Sequence, residues 1–476
     1  MNVDEIIAKI DTNWEEHLNR FQRYVRQPSV SGSGLGVLEM AQLLEGDLKE
    51  LGCQDVRVIK TPGWPVVYAS LDVGAPKTML LYGMYDVQPV VGEEWRVEPF
   101  SGDIVQDDEY GEVIVSRGIC NQKGPLAAAM NVLSTIYKSE GTLPVNVKFV
   151  LEGEEELGSV SLPGVIEQLR SELEKCDFCY FPHFGQGNDG KVKQYLGTKG
   201  ITHIKLTVKG GDWGAPTSRG IHGSNAIWID NPIWKLVHIL KTIKGEDEQV
   251  AIEGFYDDVA GPLEGDEEVL AELMRTFSPE EVLHENDVRK FKLGLEGPDL
   301  LRRYFFTPEL NIDGIAGGFY DLGTKTLLPN EVMVNMDIRT VPNMEPAKII
   351  ELFKKHLEKI GADDICEVEF TNAYNWQRSK IGEEAVQALI KAERDDMGCE
   401  VEPWISLAGS APFSLFQSML GIPSAFGGLG TGGRVHSPNE FATVRGCKDM
   451  EKCIVHFLKN ISADSQSPDK GKGGKI

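Results

Sequence analysis

The stretch Val145–Ser159, which reads VNVKFVLEGEEELGS, constrains the fold more than any other part of the sequence. Its first half is a short apolar run typical of a buried β-strand. The apolar side chains of this run are Val145, Val147, Phe149 and Val150. Glutamates follow at once, at positions 152, 154, 155 and 156, and the glycines and serine after them end the strand. The sequence therefore predicts a strand that carries adjacent carboxylates at its end.

Such a strand end has a functional and a structural interpretation. Open α/β folds bind ligands at the carboxyl ends of their strands, so the carboxylates are expected at a ligand-binding rim. Of two neighbouring glutamates, one can bind a cation while the other moves protons from a bound water. The structural alternative is a solvated acidic turn. Both interpretations stay open at this point.

Charge and length limit the classes of partner. The chain has 476 residues, long enough for two or more domains, and 73 acidic against 48 basic residues give a net charge of −25. This excess disfavours nucleic acid and anionic membranes, which require a basic face. The N-terminus is acidic where a signal peptide needs basic residues, and no apolar run approaches the roughly 18 residues of a membrane span. We expect a soluble cytoplasmic protein with a small-molecule substrate.

The cysteines indicate free thiols. Eight cysteines are spread over the chain without a pattern, and a framework of disulfides requires a denser arrangement. Cys176 and Cys179 form the only CxxC pair in the sequence, so a structural zinc site is not expected there.

The N-terminal part of the chain alternates strands and helices. One amphipathic helix is predicted from Ile6 to Phe21 and a second from Gly36 to Leu51. Strands are predicted at Thr78–Tyr82 and Val113–Ser116, and a helix at Pro125–Ile136. The alternation predicts an α/β fold with a mostly parallel sheet that is covered on both faces.

The pattern changes near Gly197. Strands are predicted at Ile201–Lys209, Val332–Arg339 and Ile365–Phe370, with helices at Pro232–Ile243 and Ala347–Ile360. Two strand–helix halves of this kind suggest an α+β domain of ferredoxin-like type inserted into the first domain. The predicted boundaries are 1–196 and 376–461 for the two parts of the first domain, 197–375 for the inserted domain, and 462–476 for a disordered tail. The acidic residues of Glu246–Glu268 are expected to form a solvated face.

Five separated stretches resemble the carnosinase/aminoacylase-type zinc metallopeptidases. They are Gly83–Pro89 (GMYDVQP), Arg117–Gly124 (RGICNQKG), Glu152–Ser159 (EGEEELGS), Val341–Met344 (VPNM) and His436–Glu440 (HSPNE). Their order and spacing match this family along nearly the whole chain. The resemblance implies a catalytic α/β domain interrupted by a lid domain, and the lid also forms a homodimer.

The resemblance also implies a centre of two adjacent zinc ions, whose ligands are changed in this chain. Met84 stands where the family has a histidine, Asn121 where an aspartate bridges both ions, and His183 where the family has an aspartate. Glu156 and His436 match the family's ligands. Asp86, which supports the lost histidine, and Glu155, the general base, are also retained.

These changes argue against two metal ions. A thioether is a poor donor to zinc, and an asparagine oxygen lacks the charge that lets two cations lie close together. One divalent ion, zinc or manganese, is expected to bind Glu156, His436 and His183, with Asn121 as a neutral donor. Glu155 would act as the base beside this ion.

Each changed residue also has a structural interpretation. Met84 can fill the space of a discarded metal, as methionine does in irregular cores. His183 can be a rim histidine that is hydrogen-bonded to Asp189 or Asp86. Asn121 is compatible with an ordinary turn.

The resemblance assigns further contacts. Arg339 corresponds to the arginine that grips a substrate carboxylate, a role that suits its forked donors. Gly409 and Ser410 lie where backbone and hydroxyl meet the substrate. His222 corresponds to a lid histidine that reaches the partner subunit's site and stabilises an oxyanion.

Three functional hypotheses remain. The first is a metal-dependent hydrolase of dipeptidase type that cleaves a C–N bond in a small carboxylate-bearing substrate. In the second, the scaffold has been repurposed for another reaction such as a deamination. In the third, catalysis is lost and the protein is a dimeric binding protein.

Overall fold

The computed structural model describes residues 1–463, and positions 464–476 of the predicted tail lie outside this range. Helices are named in chain order. They are α1 (Val3–Thr12), α2 (Trp14–Arg26), α3 (Val37–Leu51), α4 (Lys123–Glu140), α5 (Leu162–Gln168), α6 (Arg170–Leu173), α7 (Pro232–Ile243), α8 (Asp266–Leu273), α9 (Pro279–Glu285), α10 (Gly297–Phe306), α11 (Pro346–Lys359), α12 (Glu384–Lys391), α13 (Ser414–Leu420) and α14 (Val444–Ala463).

Strands are named in the same way. They are β1 (Asp55–Ile59), β2 (Val66–Leu71), β3 (Thr78–Met84), β4 (Asp103–Asp107), β5 (Gly111–Val115), β6 (Asn146–Glu152), β7 (Phe178–Pro182), β8 (Val192–Tyr195), β9 (Gly197–Thr198), β10 (Gly200–Lys209), β11 (Ile221–His222), β12 (Glu309–Ala316), β13 (Leu327–Leu328), β14 (Glu331–Thr340), β15 (Cys366–Tyr374), β16 (Gln377–Arg378), β17 (Val401–Trp404), β18 (Ser424–Gly427), β19 (Gly432–Gly433) and β20 (Phe441–Thr443).

A six-stranded sheet forms the centre of the larger unit. Its order is β1-β2-β6-β3-β7-β18, and the pairs β6–β3, β3–β7 and β7–β18 are parallel. β1 and β2 pair antiparallel, as do β2 and β6. The short connection 60–65 permits only an antiparallel β1–β2 pair, because a parallel pair needs a crossover of about a dozen residues. The mixed α/β class is as predicted, and the parallel part lies in the middle and at one side of the sheet.

Helices α1–α4 and α14 contribute to the main hydrophobic core on this sheet. The predicted helix Ile6–Phe21 is two helices, α1 and α2, which meet at Asn13. The backbone N–H of Asn13 donates to the carbonyl of Lys9, and the backbone carbonyl of Asn13 accepts from Glu16 and His17. Periodicity continues through this break because both helices bury the same side, with Ile6 and Ile10 followed by Phe21.

The chain between residues 200 and 374 forms a second, antiparallel sheet of the order β12-β14-β10-β15. With α7 after β10 and α11 after β14, the element order is strand–helix–strand–strand–helix–strand, which is that of a ferredoxin-like fold. A core of its own lies between this sheet and the two helices, and it includes Leu206, Leu236, Val334 and Phe353.

Entry to and exit from this segment are adjacent. β9, just before β10, pairs with β16, just after β15, so that Thr198 lies opposite Gln377. The stretch between α7 and β12, predicted as an acidic elaboration, contains α8, α9 and α10. Val269 and Phe305 of this stretch pack into one cluster with Trp404, which belongs to the larger unit.

One part of the predicted solvated face is buried. Asp266 is 3% exposed and forms an ion pair with the half-buried Arg378. It is the first residue of α8, where the backbone N–H of Leu263 also donates to its carboxylate, at 2.9 Å. A run of acids in a sequence does not reveal which of them meets a buried arginine, because Arg378 lies more than a hundred positions away. No helix within residues 1–463 has the length and apolar character needed to cross a membrane.

Candidate active site

Two neighbouring strand ends build the candidate site. β3 and β6 are parallel, and their last residues, Met84 and Glu152, lie opposite each other. The chain that follows β3 therefore brings Asp86 to the same rim as Glu155 and Glu156, which form a short 3-10 helix after β6. This placement agrees with the general location of ligand sites in open α/β sheets.

Asp86 fixes the backbone of both glutamates. Its Oδ1 accepts the backbone N–H of Glu155 at 3.0 Å, and its Oδ2 accepts that of Glu156 at 3.0 Å. Asp86 is fully buried, and burial, reinforced by the charge of Glu156, raises the pKa of its carboxyl group to about 7. Because one side chain holds two consecutive N–H groups, the directions in which Glu155 and Glu156 project are coupled.

Glu156, Asn121 and His436 form a closed triangle of polar contacts. Asn121 Nδ2 donates to Glu156 Oε1 at 3.0 Å and lies 3.2 Å from His436 Nε2. His436 Nε2 lies 3.1 Å from the same Glu156 oxygen, and this hydrogen bond raises the pKa of the imidazole. Gln88 donates to the other Glu156 oxygen at 2.8 Å. Both carboxylate oxygens of Glu156 are thus in contact with polar protein groups.

Glu440 positions the loop that carries Asn121. Its buried carboxylate accepts the backbone N–H groups of Gly118 at 3.0 Å and of Cys120 and Asn121 at 2.9 Å each. Arg117 NH1 lies 3.1 Å from the same carboxylate. Glu440 belongs to one of the five motifs, but the sequence assigned it no role. Its partners are backbone groups of a distant loop, which a sequence pattern does not reveal.

The loop of His436 has unusual backbone geometry. Arg434, His436 and Asn439 all have positive φ values, of 57°, 60° and 61°. Side chains with a Cβ rarely adopt this region, and such residues are frequent at functional sites. Asn439 also accepts the backbone N–H of Arg96 at 2.7 Å, which ties the loop to the rest of the rim.

Met84 and His183 do not join the triangle. Met84 is 2% exposed, and its backbone N–H donates to Gln122 at 2.9 Å. The ring of His183 lies 5.1 Å from that of Phe426, and burial alone lowers the pKa of this imidazole to about 4. Among the described hydrogen bonds, none connects the His183 side chain to Glu156, His436, Asp86 or Asp189. The alternative contact with Asp189 or Asp86 is therefore absent as well.

The donor set does not fit the implied metal ions. Within residues 1–463, no three His, Cys, Asp or Glu side chains are grouped so that they could hold a metal ion. Glu156 and His436 are the two matching donors in contact, while a catalytic zinc usually has three protein ligands. The Asn121 amide nitrogen contacts both of them, and an amide N–H group donates hydrogen bonds and cannot bind a cation. Of the four predicted ligands, the structure brings together Glu156, His436 and Asn121, without His183.

Acidic groups accumulate behind this triangle. Burial raises the pKa of Glu155 well above its ordinary value, and Glu156, Asp86 and Glu152 add to the effect. Burial also raises the pKa of Glu152 to about 8, although Tyr82 and Ser159 donate to its Oε1. Its Oε2 has no hydrogen-bond partner among the described residues. The rim therefore gathers buried carboxyl groups whose ionisation is disfavoured.

The predicted substrate contacts lie together. Arg339, on β14, donates from NH1 to Ser410 Oγ at 3.1 Å and from Nε to Asp337 at 2.6 Å. Arg339 and Gly409 line the same cavity. Segment 408–410 belongs to the larger unit and Arg339 to the ferredoxin-like one, so the two units meet at this cluster.

The acidic rim and Arg339 both affect the pKa of Tyr374. Burial raises the pKa of its phenol, Glu155, Glu152 and Glu156 raise it further, and Arg339 lowers it. The phenol is therefore within electrostatic reach of both groups. Tyr374 was not predicted as a site residue, because the predicted strand ends at Phe370 and the observed strand β15 continues to Tyr374.

His222 lies apart from these residues. It is exposed on β11, and its two ring nitrogens lie 2.8 Å from Ser224 Oγ and 3.0 Å from Thr326 Oγ1. Among the described contacts of its own chain, none joins its side chain to Glu155, Glu156 or Arg339.

Comparisons with known proteins agree with this architecture. The model of Peptidase family M20/M25/M40 matches residues 80–460. The Cys-Gly metallodipeptidase DUG1 of Candida albicans is 30% identical over 471 residues, which cover 93% of this chain and 94% of that protein.

Two solved structures have nearly the same fold over the whole chain. The M20 family metallo-carboxypeptidase Sso-CP2 of Sulfolobus solfataricus has a TM-score of 0.86 at 32% identity and covers 94% of this chain and 99% of its own. The di-peptidase Dug1p of Saccharomyces cerevisiae has a TM-score of 0.83 at 25% identity and covers 98% and 99%. The resemblance seen in the five motifs is confirmed, and the chain belongs to peptidase family M20/M25/M40.

Proposed function

We propose that this protein is a hydrolase of dipeptidase type that cleaves a C–N bond in a small, carboxylate-bearing substrate. The observation that carries the proposal is the pair of hydrogen bonds that the Asp86 carboxylate accepts from the backbone N–H groups of Glu155 and Glu156, at 3.0 Å each. Holding two adjacent carboxylates in fixed directions at a strand end serves catalysis rather than stability, because it concentrates like charges. The name of the Candida albicans relative, a metallodipeptidase, supports the reaction class.

The residues divide into two groups. Glu155 acts as general base towards water, and Asp86 positions it through the backbone. Arg339 and Ser410 hold the substrate carboxylate, with Gly409 at the wall of the same cavity. The electrostatic effect of both groups on Tyr374 supports a cleft that they share.

The part of the chain that the structure describes offers few side chains that could coordinate a divalent cation. Glu156 and His436 remain for zinc or manganese, and the Asn121 side chain would have to turn its oxygen towards them. His183 would have to leave the Phe426 ring. We therefore assign no step of the reaction to a metal ion.

The ferredoxin-like unit is proposed as an inserted lid and dimerisation domain, with boundaries at 197–375. The pairing of β9 with β16 supports an insertion, because the chain leaves the larger unit and returns at one place. The position of Arg339 on β14 supports a lid, since this unit contributes to the substrate cluster.

A surface of this unit supports a homodimer. β12 is the edge strand of its sheet, so its outer backbone groups are free to pair with another strand. Ile312 and Ile315 on β12, Trp234 on α7 and Trp228 before it are all exposed, with Trp228 at 79%. Exposed apolar groups on one edge strand and a neighbouring helix favour a second copy of the chain. His222 would then be available to the partner's site.

Sedimentation equilibrium tests the dimer. Ile315→Asp places a charge on edge strand β12 and is expected to produce monomers. Leu38→Asp, at an exposed position of helix α3, serves as the control. A monomeric wild-type protein at micromolar concentration would refute the homodimer.

The activity is tested on a panel of dipeptides and N-acyl amino acids. The protein is assayed after chelation and after addition of Zn²⁺ or Mn²⁺, with Glu155→Gln as the inactive variant. The exposed Glu167→Gln on α5 is the matched control. Uniform inactivity of the wild type under all conditions would refute the proposal.

A second candidate, a metal-independent function, is favoured by one observation. The Asn121 amide nitrogen lies 3.0 Å from Glu156 and 3.2 Å from His436, so that a hydrogen-bond donor contacts both of the side chains that would have to bind a cation. Another reaction such as deamination, or binding without catalysis, would need no cation there.

Elemental analysis distinguishes the candidates. About one metal per chain that is lost in Glu156→Ala supports the metallohydrolase, and a metal-free protein whose stability is unchanged in this variant supports the second candidate.

A further inference from the structure

A cavity of about 540 Å³ opens beside Arg339. Residues of the ferredoxin-like unit and the segment 408–409 of the larger unit form its wall. The volume lies within the range of small-molecule sites, about 300 to 1,000 Å³. Arg339 is one of thirteen lining residues, and this volume can hold more of a substrate than the single carboxylate assigned to Arg339.

Charge in the cavity is opposite to that of the chain. Its basic lining residues are Lys199, Lys292, Arg303 and Arg339, and its acidic ones are Glu309 and Asp337. Positive side chains are in excess here although the whole protein has a net charge of −25.

The acidic residues compensate this excess only in part. Glu309 pairs with Arg303 at 3.2 Å, with Lys292 at 3.5 Å, and with Lys244. Lys292 and Lys244 also pair with Glu248, at 2.8 Å each, so that Glu309 is left as the ion-pair partner of Arg303. Asp337 pairs with Arg339 and accepts from Asn311 at 3.3 Å.

Lys199 is the least compensated of the basic residues. It is 6% exposed, and its Nζ donates to the backbone carbonyl of Thr307 at 2.8 Å. An ammonium group has three donors, and no carboxylate of the described residues accepts from this one. Burial, assisted by the charges of Arg339 and Arg303, lowers its pKa to about 8 against the effect of Glu309. An anion in the cavity would relieve this repulsion.

Apolar groups form the rest of the wall. Phe291, Leu300 and Tyr304 lie between the basic residues. The Tyr304 hydroxyl accepts the backbone N–H of Ala408 at 3.1 Å, and the Tyr304 ring meets Trp404 edge-on at 5.6 Å. The ring is therefore held in place as a flat apolar surface.

We propose that this cavity selects substrates with two acidic groups separated by an apolar or aromatic body, and that Lys199 and Arg303 hold the second acidic group. This inference rests on the proposed role of Arg339 in the hydrolase, and it adds the substrate class. Arg339 and Ser410 hold the first carboxylate, and Tyr304 packs against the body between the two.

Calorimetric binding of inert ligands tests the inference without catalysis. The probes are benzene-1,3-dicarboxylate, which has two carboxylates, and 3-carbamoylbenzoate, in which a neutral amide replaces one of them. We expect the dicarboxylate to bind the wild type about 10- to 100-fold more tightly, since a hydrogen-bonded charge pair is at stake. Equal affinities would overturn the inference.

Variants locate the preference. In Lys199→Met it is expected to disappear, while in Lys205→Met, a lysine paired with Glu369 on the same strand β10, it persists. Arg303→Met provides a second test if Lys199→Met does not fold. Arg339→Met should weaken both ligands, and a preference that survives in all three cavity variants would refute the site. A preference in a protein that hydrolyses no substrate would refute the hydrolase alone.

Discussion

The rim gathers carboxyl groups and the cavity gathers basic groups, and in both regions burial disfavours the charged form. At the rim, burial and like charge raise the pKa values of Asp86 to about 7 and of Glu152 to about 8. In the cavity, burial and like charge lower the pKa of Lys199 to about 8. In each region, burial and neighbouring like charges disfavour the ionised side chains. For the hydrolase proposed above, the contrast assigns the acidic end of the substrate to the cavity and its reacting bond to the rim.

Removing the base at the rim should have the largest effect. We expect Glu155→Gln to lower kcat by about 10² to 10⁴, the usual contribution of a general base. KM should change little, because the substrate carboxylate is held elsewhere. Steady-state kinetics measures this against Glu167→Gln, and wild-type activity in Glu155→Gln would show that the rim is not the catalytic region.

Removing the Arg339 guanidinium at the cavity should affect substrate binding instead. Arg339→Met is expected to raise KM about 10- to 100-fold, since it removes charge-assisted hydrogen bonds. Arg339→Lys should recover only part of this loss, because lysine lacks the forked geometry. A fall in kcat with an unchanged KM would mean that Arg339 acts on the reacting bond, and the division between rim and cavity would be wrong.

The rim should also affect stability with pH. The pKa of Glu152 is raised from 4.5 to about 8 in the folded protein. Between these values the folded state retains a proton that the unfolded state has lost, so the free energy of unfolding should fall as the pH rises through this window. Glu152→Gln cannot ionise and should reduce the fall, by about 1 to 4 kcal/mol between pH 5 and pH 8.

Urea denaturation at pH 5, 6.5 and 8 measures this dependence. Glu167→Gln, which changes an exposed carboxylate, should retain the wild-type pH dependence. If the free energy of unfolding depends on pH identically in wild type and Glu152→Gln, Glu152 is ionised in the folded protein. Its pKa is then not raised, and the contrast between rim and cavity is wrong.

Local sequence predicted the elements that depend on short-range patterns. The run from Val145 to Val150 forms β6, and the glutamates after it lie at the rim as expected. The ferredoxin-like unit followed from the change of pattern near Gly197. The location of Asp86 and Glu155 at the rim could be predicted because both belong to motifs that follow directly after predicted strands. The single predicted helix Ile6–Phe21 failed because a break at Asn13 does not interrupt the apolar spacing.

Contacts between distant segments were beyond the sequence. That Glu440 holds the Asn121 loop depends on β20 pairing with β5, which brings positions more than three hundred residues apart together. Tyr374 gained its place only when β15 and β14 joined the same sheet with Arg339 at their common end. The orientation of His183 towards Phe426 likewise follows from the packing of β7 against β18.

The sequence by itself determined the family, the order of strands and helices, and the residue types available at the rim, because these depend on local periodicity and on motifs that stay intact along the chain. Only the tertiary structure decided which of those residues touch. Glu156, Asn121 and His436 meet because three separate loops end at one edge of the sheet. The basic cavity exists because α10 of the acidic stretch and the end of β14 both contribute residues to its wall. Charge compensation depends on distances of a few Å, and only the folded chain sets such distances.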